Sequence, residues 1–227
     1  MAGEVLVNEQ KADKPGRLIG RDASVRLLHQ QPQFVSRGGE KLAAAMAHFG
    51  IDVAGAVCLD IGASTGGFTD CLLQLGAARV HAVDVGTNQL HWSLRNDERV
   101  HVLEQCNARY LTQAHLGERV SFACCDVSFI SVTKILPRFQ DLLAPGGEAI
   151  VLAKPQFEVG KGEVGKGGVV RDHEKHMAVV ESVREAMLEC GFDPVEWIES
   201  PLLGASGNRE FLLHGTTWRA PSTKGVA

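Results

Sequence analysis

The chain has 227 residues, of which 44% are hydrophobic, and a formal net charge of −4 at pH 7. A chain of this length can bury one sizeable core with at most a small appendage, and its mild acidity argues against a strongly basic nucleic-acid sheath, although a local patch could still bind RNA. It has no apolar run of about 18 residues and no apolar signal core near its start, so we expect a cytoplasmic protein that does not enter a membrane.

The six cysteines and nine histidines show no spacing that is typical of a metal site or a disulfide framework. No pair of cysteines forms Cys-x-x-Cys, and Cys58, Cys124 and Cys125 lie in apolar runs. Cysteines in such runs usually behave as small buried hydrophobic residues. We therefore expect reduced thiols and no bound metal.

The first 30 residues differ in pattern from the rest of the chain. The sequence predicts a short strand that ends in a turn at Asn8, a second turn at Pro15-Gly16, and another strand over 22–28. A helix follows after Phe34: Ser36 is a suitable N-cap, the alanine-rich run 43–47 favours helix, and Gly50 ends it.

Beyond this helix the pattern alternates between strands and helices. The predicted elements are strand 57–61, a helix from 67, strand 79–85, helix 89–95, strand 100–104, strand 119–125, helix 131–143, strand 148–153, helix 172–190, and strands 194–198 and 210–214. This alternation predicts a doubly wound α/β sheet. Only a loop separates the last two strands, so the sheet must contain an antiparallel strand. Residues 219–227 are predicted to be a loose tail.

A glycine-rich turn connects the strand 57–61 to the helix that begins near Gly67. Small residues let the backbone approach a ligand closely, and the helix N-terminus offers unpaired N–H groups, so a nucleotide-like ligand fits at this turn. Asp84 ends the next strand, roughly 20 residues after Gly62, which is where an acidic side chain meets ribose hydroxyls in dinucleotide folds.

The spacing of the glycines distinguishes two kinds of nucleotide. The nicotinamide fingerprint requires Gly-x-Gly-x-x-Gly, but Ser64 occupies the position of its second glycine. The pattern Asp60-x-Gly62-x-x-x-Gly66-Gly67-Phe68 instead resembles the S-adenosylmethionine (SAM) turn of class I methyltransferases. That resemblance implies a Rossmann-like sheet of seven strands with one antiparallel strand.

Four charged residues are predicted to meet beside this turn. Asp126 and Lys154 end two strands, Glu210 begins the last strand, and Lys41 enters from the first helix. Ligands of open α/β sheets bind at the carboxyl ends of the strands, which is where these side chains would lie. Surface ion pairs are the alternative, but a lysine that ends an apolar strand is uncommon.

Several longer motifs in the same order resemble the TlyA family of ribosomal RNA cytidine 2′-O-methyltransferases, whose members often carry the label haemolysin. The motifs are Ser36-Arg37-Gly38-Gly39-Glu40-Lys41-Leu42, the glycine turn from Asp60 to Asp70, Asp126-Val127-Ser128-Phe129-Ile130-Ser131, Lys154-Pro155-Gln156-Phe157-Glu158, Gly165-Lys166-Gly167-Gly168-Val169-Val170-Arg171-Asp172 and Gly207-Asn208-Arg209-Glu210-Phe211. Residues 1–30 resemble the C-terminal half of an S4 RNA-binding domain, and residues 31–218 resemble an FtsJ-like methyltransferase domain.

This resemblance implies a task for each site residue. The Lys-Asp-Lys-Glu tetrad of the related FtsJ/RrmJ group corresponds to Lys41, Asp126, Lys154 and Glu210. Lys154 would accept the proton of the ribose 2′-hydroxyl, Asp126 would fix the position of its amine, and the other two would orient the sugar. The implied SAM-binding residues are Gly62, Ala63, Ser64, Thr65, Gly66, Gly67, Phe68, Asp84 and Asn107. Asn107 would meet the adenine, or else it only begins a helix.

The implied partners are ribosomal RNA and ribosomal subunits, and the implied cofactor is SAM without a metal. A non-catalytic RNA-binding or ribosome-assembly factor and a membrane-acting haemolysin are the alternatives from other classes. Methylation of base amino groups fits less well, because Asp126-Val127-Ser128-Phe129 departs from the usual Asp/Asn-Pro-Pro-Tyr/Phe. Methylation of pyrimidine C5 needs a cysteine nucleophile, typically after a proline, and the sequence has no Pro-Cys pair.

Overall fold

The computed structural model describes residues 5–12, 14, 16, 18–27, 32–160 and 162–217. The chain divides into two compact units, Met1–Gln33 and Phe34–Ala227. The expected tail 219–227 lies outside the described residues. Within the described ranges, no helix is both long enough and apolar enough to span a membrane.

The first unit contains a small antiparallel sheet. Its strands are β1 (Val5–Val7), β2 (Gln10–Lys11) and β3 (Val25–Leu27), in the order β2-β1-β3. The predicted turn at Asn8 is confirmed: Asn8 and Glu9 have φ angles of 51° and 63°, and the Asn8 side chain accepts a 2.9 Å hydrogen bond from Ser24 N. The prediction of two strands missed the short β2, which pairs with β1 directly across this turn.

The second unit is built on a sheet of seven strands. They are β4 (Val57–Ile61), β5 (Arg79–Val83), β6 (Val100–Leu103), β7 (Val120–Cys125), β8 (Leu143–Ala153), β9 (Phe192–Glu199) and β10 (Phe211–Thr217). Their order is β6-β5-β4-β7-β8-β10-β9, and β10 runs antiparallel to both of its neighbours. The sequence prediction of a mostly parallel seven-stranded sheet with one antiparallel strand is therefore confirmed.

Helices cover both faces of this sheet. They are α1 (Gly38–Phe49), α2 (Gly67–Gln74), α3 (Trp92–Arg95), α4 (Gln113–Leu116), α5 (Phe139–Leu142), α6 (Pro155–Glu158) and α7 (His173–Glu189). Side chains alternate along each strand, so Leu59 packs into the core layer under α5 and α7, whereas Cys58 packs into the layer under α1 and α2. The two layers bury both faces of the sheet, so a ligand can reach it only at the ends of the strands.

The boundaries of α1 differ slightly from the prediction. Gly50 ends the helix with a left-handed φ of 67°, as expected, but the N-cap is Arg37 rather than Ser36. The Ser36 carbonyl accepts a hydrogen bond from the Gly39 N–H. The Ser36 hydroxyl lies so close to Gly67 that a Cβ at Gly67 would come within 2.2 Å of its oxygen. The Ser36 side chain therefore packs against the glycine turn and does not cap the helix.

The predicted helix over 131–143 is wrong in most of its length. This segment forms two 3-10 turns, Val132–Lys134 and Leu136–Arg138, and only Phe139–Leu142 is α-helical. Pro137 explains the break, because a proline has no N–H to donate and its ring clashes with the preceding turn of an α-helix. The next strand also begins earlier than predicted, at Leu143, and continues to Ala153.

Candidate active site

Strand pairing brings three charged residues at strand ends together with the glycine turn at one edge of the sheet. Phe211 pairs with Ala153 in antiparallel register, so Glu210 and Lys154 are neighbours just beyond that pair. On the other side, Asp126 N donates to Ile61 O at 2.9 Å, which places Asp126 beside the glycine turn that begins at Gly62.

The four charged residues form two ion pairs. Lys41 Nζ donates to Glu210 Oε2 at 2.5 Å, and their side chains are only 11% and 2% exposed. Lys154 pairs with Asp126 and also donates to Ser128 Oγ at 3.1 Å. Each lysine is therefore held by one carboxylate, and the Lys154 amine has a hydroxyl partner as well.

Two adjoining cavities open beside these pairs. The smaller cavity, of ≈ 260 Å³, is lined by Lys41, Asp126 and the loop residues Leu203 and Gly204, among others. The larger cavity, of ≈ 400 Å³, lies toward Asp84 and is lined by the chain from Asp126 to Ile130. The cavities share the residues Gly62, Ser64 and Asp126. A ligand in one cavity would therefore be next to a ligand in the other.

The larger cavity fits the nucleoside part of SAM. Its volume lies within the range of about 300–1,000 Å³ that is usual for small-molecule sites. Asp84 lies on its wall and accepts hydrogen bonds from Ser64 N at 2.8 Å and from Gly86 N at 2.7 Å. Asp84 therefore connects the loop at Ser64 to the loop at Gly86 and places an acidic residue on the wall of this cavity.

The glycine turn depends on residues without side chains. Gly62 has a φ of +86°, and a Cβ at this position would lie 2.2 Å from the Asp126 carbonyl oxygen. Gly66, with a φ of +99°, is the N-cap of α2 and does not line either cavity. Its contribution is to the shape of the turn, since a Cβ there would collide with Leu94.

The remaining predicted cofactor residues divide between the two cavities. Ala63, Thr65, Gly67 and Phe68 line the smaller cavity. Asn107 lines the larger cavity, and its side chain also accepts a 3.1 Å hydrogen bond from Arg109 N, which caps a 3-10 turn. Both roles considered for Asn107 are thus compatible with its position.

The segment from Asp126 to Ser131 contains further residues whose contacts shape the site and which local sequence patterns do not reveal. Phe129 has a φ of 66°, is 92% exposed, and its ring centroid lies 5.2 Å from that of Phe157. The partly buried Glu158 accepts hydrogen bonds from Ser131 Oγ at 2.5 Å and from Val132 N at 2.8 Å. Burial raises the pKa of the Glu158 carboxyl. These hydrogen bonds connect the segment that begins at Asp126 to the segment that begins at Lys154.

Asn208 was also missed as an individual residue. Its side chain accepts a 3.0 Å hydrogen bond from Val170 N and donates one of 2.9 Å to Gly168 O. Asn208 is almost fully buried and lies two residues before Glu210. It fastens the glycine-rich segment before α7 to the loop that carries Glu210, a link that only long-range pairing reveals.

A buried acid lies beneath the glycine turn. Asp60 is fully buried and accepts a 2.7 Å hydrogen bond from Thr69 Oγ1. Burial raises the pKa of Asp60 to about 7, although the bond from Thr69 opposes this shift. Asp60 lines neither cavity, and its bond to Thr69 joins β4 to α2 on the two sides of the turn.

The sheet order and this site define a class I SAM-dependent methyltransferase fold. A methyltransferase from Burkholderia thailandensis, solved with S-adenosylhomocysteine, shares the fold with a TM-score of 0.56 at 22% identity, covering 81% of this chain and 80% of that chain. The profile of the FtsJ-like methyltransferase family matches residues 34–217, and the chain belongs to that family.

Two relatives are similar over most of their length. The 16S/23S rRNA (cytidine-2′-O)-methyltransferase TlyA of Mycobacterium tuberculosis is 46% identical over 228 residues, which cover 99% of this chain and 85% of the relative. A solved hemolysin-named protein from Streptococcus thermophilus has a TM-score of 0.81 at 44% identity, covering 96% of this chain and 80% of that chain.

Proposed function

We propose that this protein transfers a methyl group from SAM to the ribose 2′-hydroxyl of a cytidine in ribosomal RNA. The observation that carries the proposal is the position of Asp126, which lines both cavities and pairs with Lys154. This arrangement gives the larger cavity to the nucleoside of SAM and an adjoining cavity in which its methionine part would meet the acceptor ribose, and Lys154 pairs with the acid that both cavities share. The name of the Mycobacterium tuberculosis relative supports the choice of ribosomal cytidine.

When bound, SAM supplies a methyl group on a positively charged sulfur, which leaves with the electron pair of the carbon–sulfur bond. Asp84 would hold the ribose of SAM, and the turn from Gly62 to Gly67 would surround its methionine part. The tight turn brings the backbone close to the junction of the two cavities. Holding the acceptor oxygen and the methyl carbon in line at that junction accounts for much of the expected acceleration.

Lys154 would act as the general base. Its neutral amine takes the proton of the 2′-hydroxyl as the oxygen bonds to the methyl carbon, and the resulting ammonium returns that proton to solvent. Such proton transfer typically contributes about 10²–10⁴-fold. The Lys41–Glu210 pair borders the smaller cavity through Lys41 and would orient the ribose by hydrogen bonds to its hydroxyls.

The partner in this proposal is ribosomal RNA within ribosomal subunits. The reaction would take place in the cytoplasm, where this RNA is assembled into subunits. Residues 1–30 would contribute to RNA capture as a partial S4-like domain, and residues 31–218 would form the methyltransferase domain. The antiparallel sheet of β1, β2 and β3 supports the assignment of a separate N-terminal domain.

The test is methyl transfer from isotope-labelled SAM to ribosomal subunits, followed by nucleoside analysis for 2′-O-methylcytidine. Lys154→Arg should lose transfer, because a guanidinium stays protonated and cannot act as a base. Lys175→Arg, at a partly exposed lysine on α7, is the matched control and should keep wild-type activity. The affinity for S-adenosylhomocysteine should be unchanged in both variants.

Three outcomes would contradict the proposal in different ways. Wild-type protein that transfers no methyl group to RNA would point to a non-catalytic role. Label recovered in a base would exclude ribose methylation. Near-normal turnover by Lys154→Arg would show that the residue contributes only charge.

A further inference from the structure

The proposed base has a second partner to which no role has been assigned. Lys154 Nζ pairs with Asp126 and lies 3.1 Å from Ser128 Oγ. Asp126 and Ser128 both line the larger cavity, two residues apart on the segment that follows β7. Lys154 itself lines neither cavity, and two side chains of the cavity wall contact its amine.

The segment that carries Ser128 is fixed at both ends. Asp126 N donates to Ile61 O at 2.9 Å, and Ser131 Oγ donates to Glu158 Oε2 at 2.5 Å. Between them, Phe129 has a φ of 66°, which is a strained backbone conformation for a bulky residue. Such a conformation persists only where the surrounding structure determines it, and it is common at functional sites. The segment is therefore held at both ends, and the Ser128 hydroxyl lies 3.1 Å from the Lys154 amine.

We infer that Ser128 is a positioning residue for Lys154, and this inference rests on the proposed function. A neutral lysine amine has two N–H bonds and one lone pair arranged around a nitrogen that is bonded to Cε. Ser128 Oγ, 3.1 Å away, would accept one N–H, and the Asp126 carboxylate that pairs with the amine would take the other. The lone pair then occupies the one remaining tetrahedral position, where it can take the proton of the 2′-hydroxyl. With Asp126 alone, the amine could turn an N–H toward the ribose instead.

The kinetic test removes only the hydroxyl. In Ser128→Ala, the single-turnover rate at saturating SAM and ribosomal subunits should fall roughly fivefold, which is the rate equivalent of one neutral hydrogen bond of about 1 kcal/mol. The KM for RNA and the Kd for S-adenosylhomocysteine should not change. Ser128→Thr should restore most of the rate. Ser121→Ala, at an exposed serine of β7 outside both cavities, is the control and should match wild type.

A second measurement follows the amine without turnover. In protein labelled with ¹³C at lysine Cε, the NMR order parameter of Lys154 should fall in Ser128→Ala and stay unchanged in Ser121→Ala. An unchanged rate with an unchanged order parameter would overturn the inference. Weaker binding of S-adenosylhomocysteine without rescue by threonine would overturn it too, because that pattern indicates a role in the cavity wall. Inactive wild-type protein whose Lys154 still becomes mobile in Ser128→Ala would contradict the proposed function and leave the Lys154–Ser128 contact standing.

Discussion

Lys41 donates a 2.5 Å hydrogen bond to Glu210 although the two residues are 169 positions apart in the chain. The pair connects α1, which precedes the main sheet, to the residue just before β10, the antiparallel strand. Because both side chains are buried, water cannot solvate either charge well if its partner is removed. The pair is therefore expected to matter for stability as well as for the site.

The first prediction concerns this pair. Lys41→Met should lower the free energy of unfolding by about 3–5 kcal/mol, because it leaves the Glu210 carboxylate buried without a cation. The double variant Lys41→Met with Glu210→Gln should lose clearly less than the sum of the single variants. Urea unfolding of the four proteins measures this coupling. The exposed pair Arg184–Glu181 on α7 is the control, and little or no coupling is expected between its two charges. Additive losses for Lys41 and Glu210 would argue against a coupled buried pair.

The second prediction tests the loop beside Glu210. A Cβ on Gly204 would lie 1.8 Å from Glu210 Oε1, so Gly204→Ala should push the carboxylate away from Lys41. Methyl transfer should fall by up to about 10²-fold, since small displacements in a site can have effects of this size. The affinity for S-adenosylhomocysteine should stay the same.

Gly207→Ala is the matched control in the same loop. A Cβ at Gly207 meets nothing within 4 Å, although its φ of +83° makes any side chain somewhat strained. It should therefore cost some stability and little activity. Equal losses of activity in the two variants would mean that the loop backbone matters and the space around Glu210 does not.

The third prediction concerns Asp84. Asp84→Asn removes the charge and one of the two acceptor oxygens that hold Ser64 N and Gly86 N. Calorimetry should show that S-adenosylhomocysteine binds roughly 10–100-fold more weakly, because hydrogen bonds to charged groups contribute about 1.5–3 kcal/mol. Asp97→Asn, at an acid that pairs with Arg99 outside both cavities, should bind like wild type. If Asp84→Asn binds S-adenosylhomocysteine as tightly as wild type does, then Asp84 does not hold the ribose of SAM.

The fourth prediction is a dependence of stability on pH. The pKa of Asp60 is raised from 3.8 to about 7 in the folded protein. Between these values the folded state holds one more proton than the unfolded state, so raising the pH favours unfolding. This contribution is fully present below pH 3.8 and is lost as the pH rises through about 7. The loss should approach about 1.4 kcal/mol per pH unit within this window.

Asp60→Asn isolates this effect, because other titrating groups cancel when it is compared with wild type. The stability of the variant relative to wild type should increase from pH 5 to pH 7.5 in urea unfolding. A difference that does not change with pH would show that Asp60 titrates alike in both states. Thr69→Val should reduce wild-type stability mainly at the higher pH, since Thr69 donates to the charged carboxylate.

Local patterns in the sequence were sufficient for most of the fold. Strand β4, the start of α2 at Gly67 and the end of α1 at Gly50 were predicted correctly, because glycine turns and alternating apolar residues act over a few positions. The prediction of a helix over 131–143 was wrong for a local reason as well. The apolar residues of this segment favoured a helix, but Pro137 interrupts it. The N-cap at Ser36 failed because the hydroxyl packs against the distant Gly67.

The sequence by itself determined that the sheet is parallel with one antiparallel strand, and that charged residues collect at one edge near a glycine turn. Only the tertiary structure decided which lysine pairs with which acid, that Gly66 shapes the turn without lining a cavity, and that Ser128 and Glu158 belong to the surroundings of Lys154. The physical reason is the distance along the chain between the residues that interact. Turn and strand preferences depend on neighbouring residues, whereas these partners are set by strand register and by hydrogen bonds between loops that are distant in the chain.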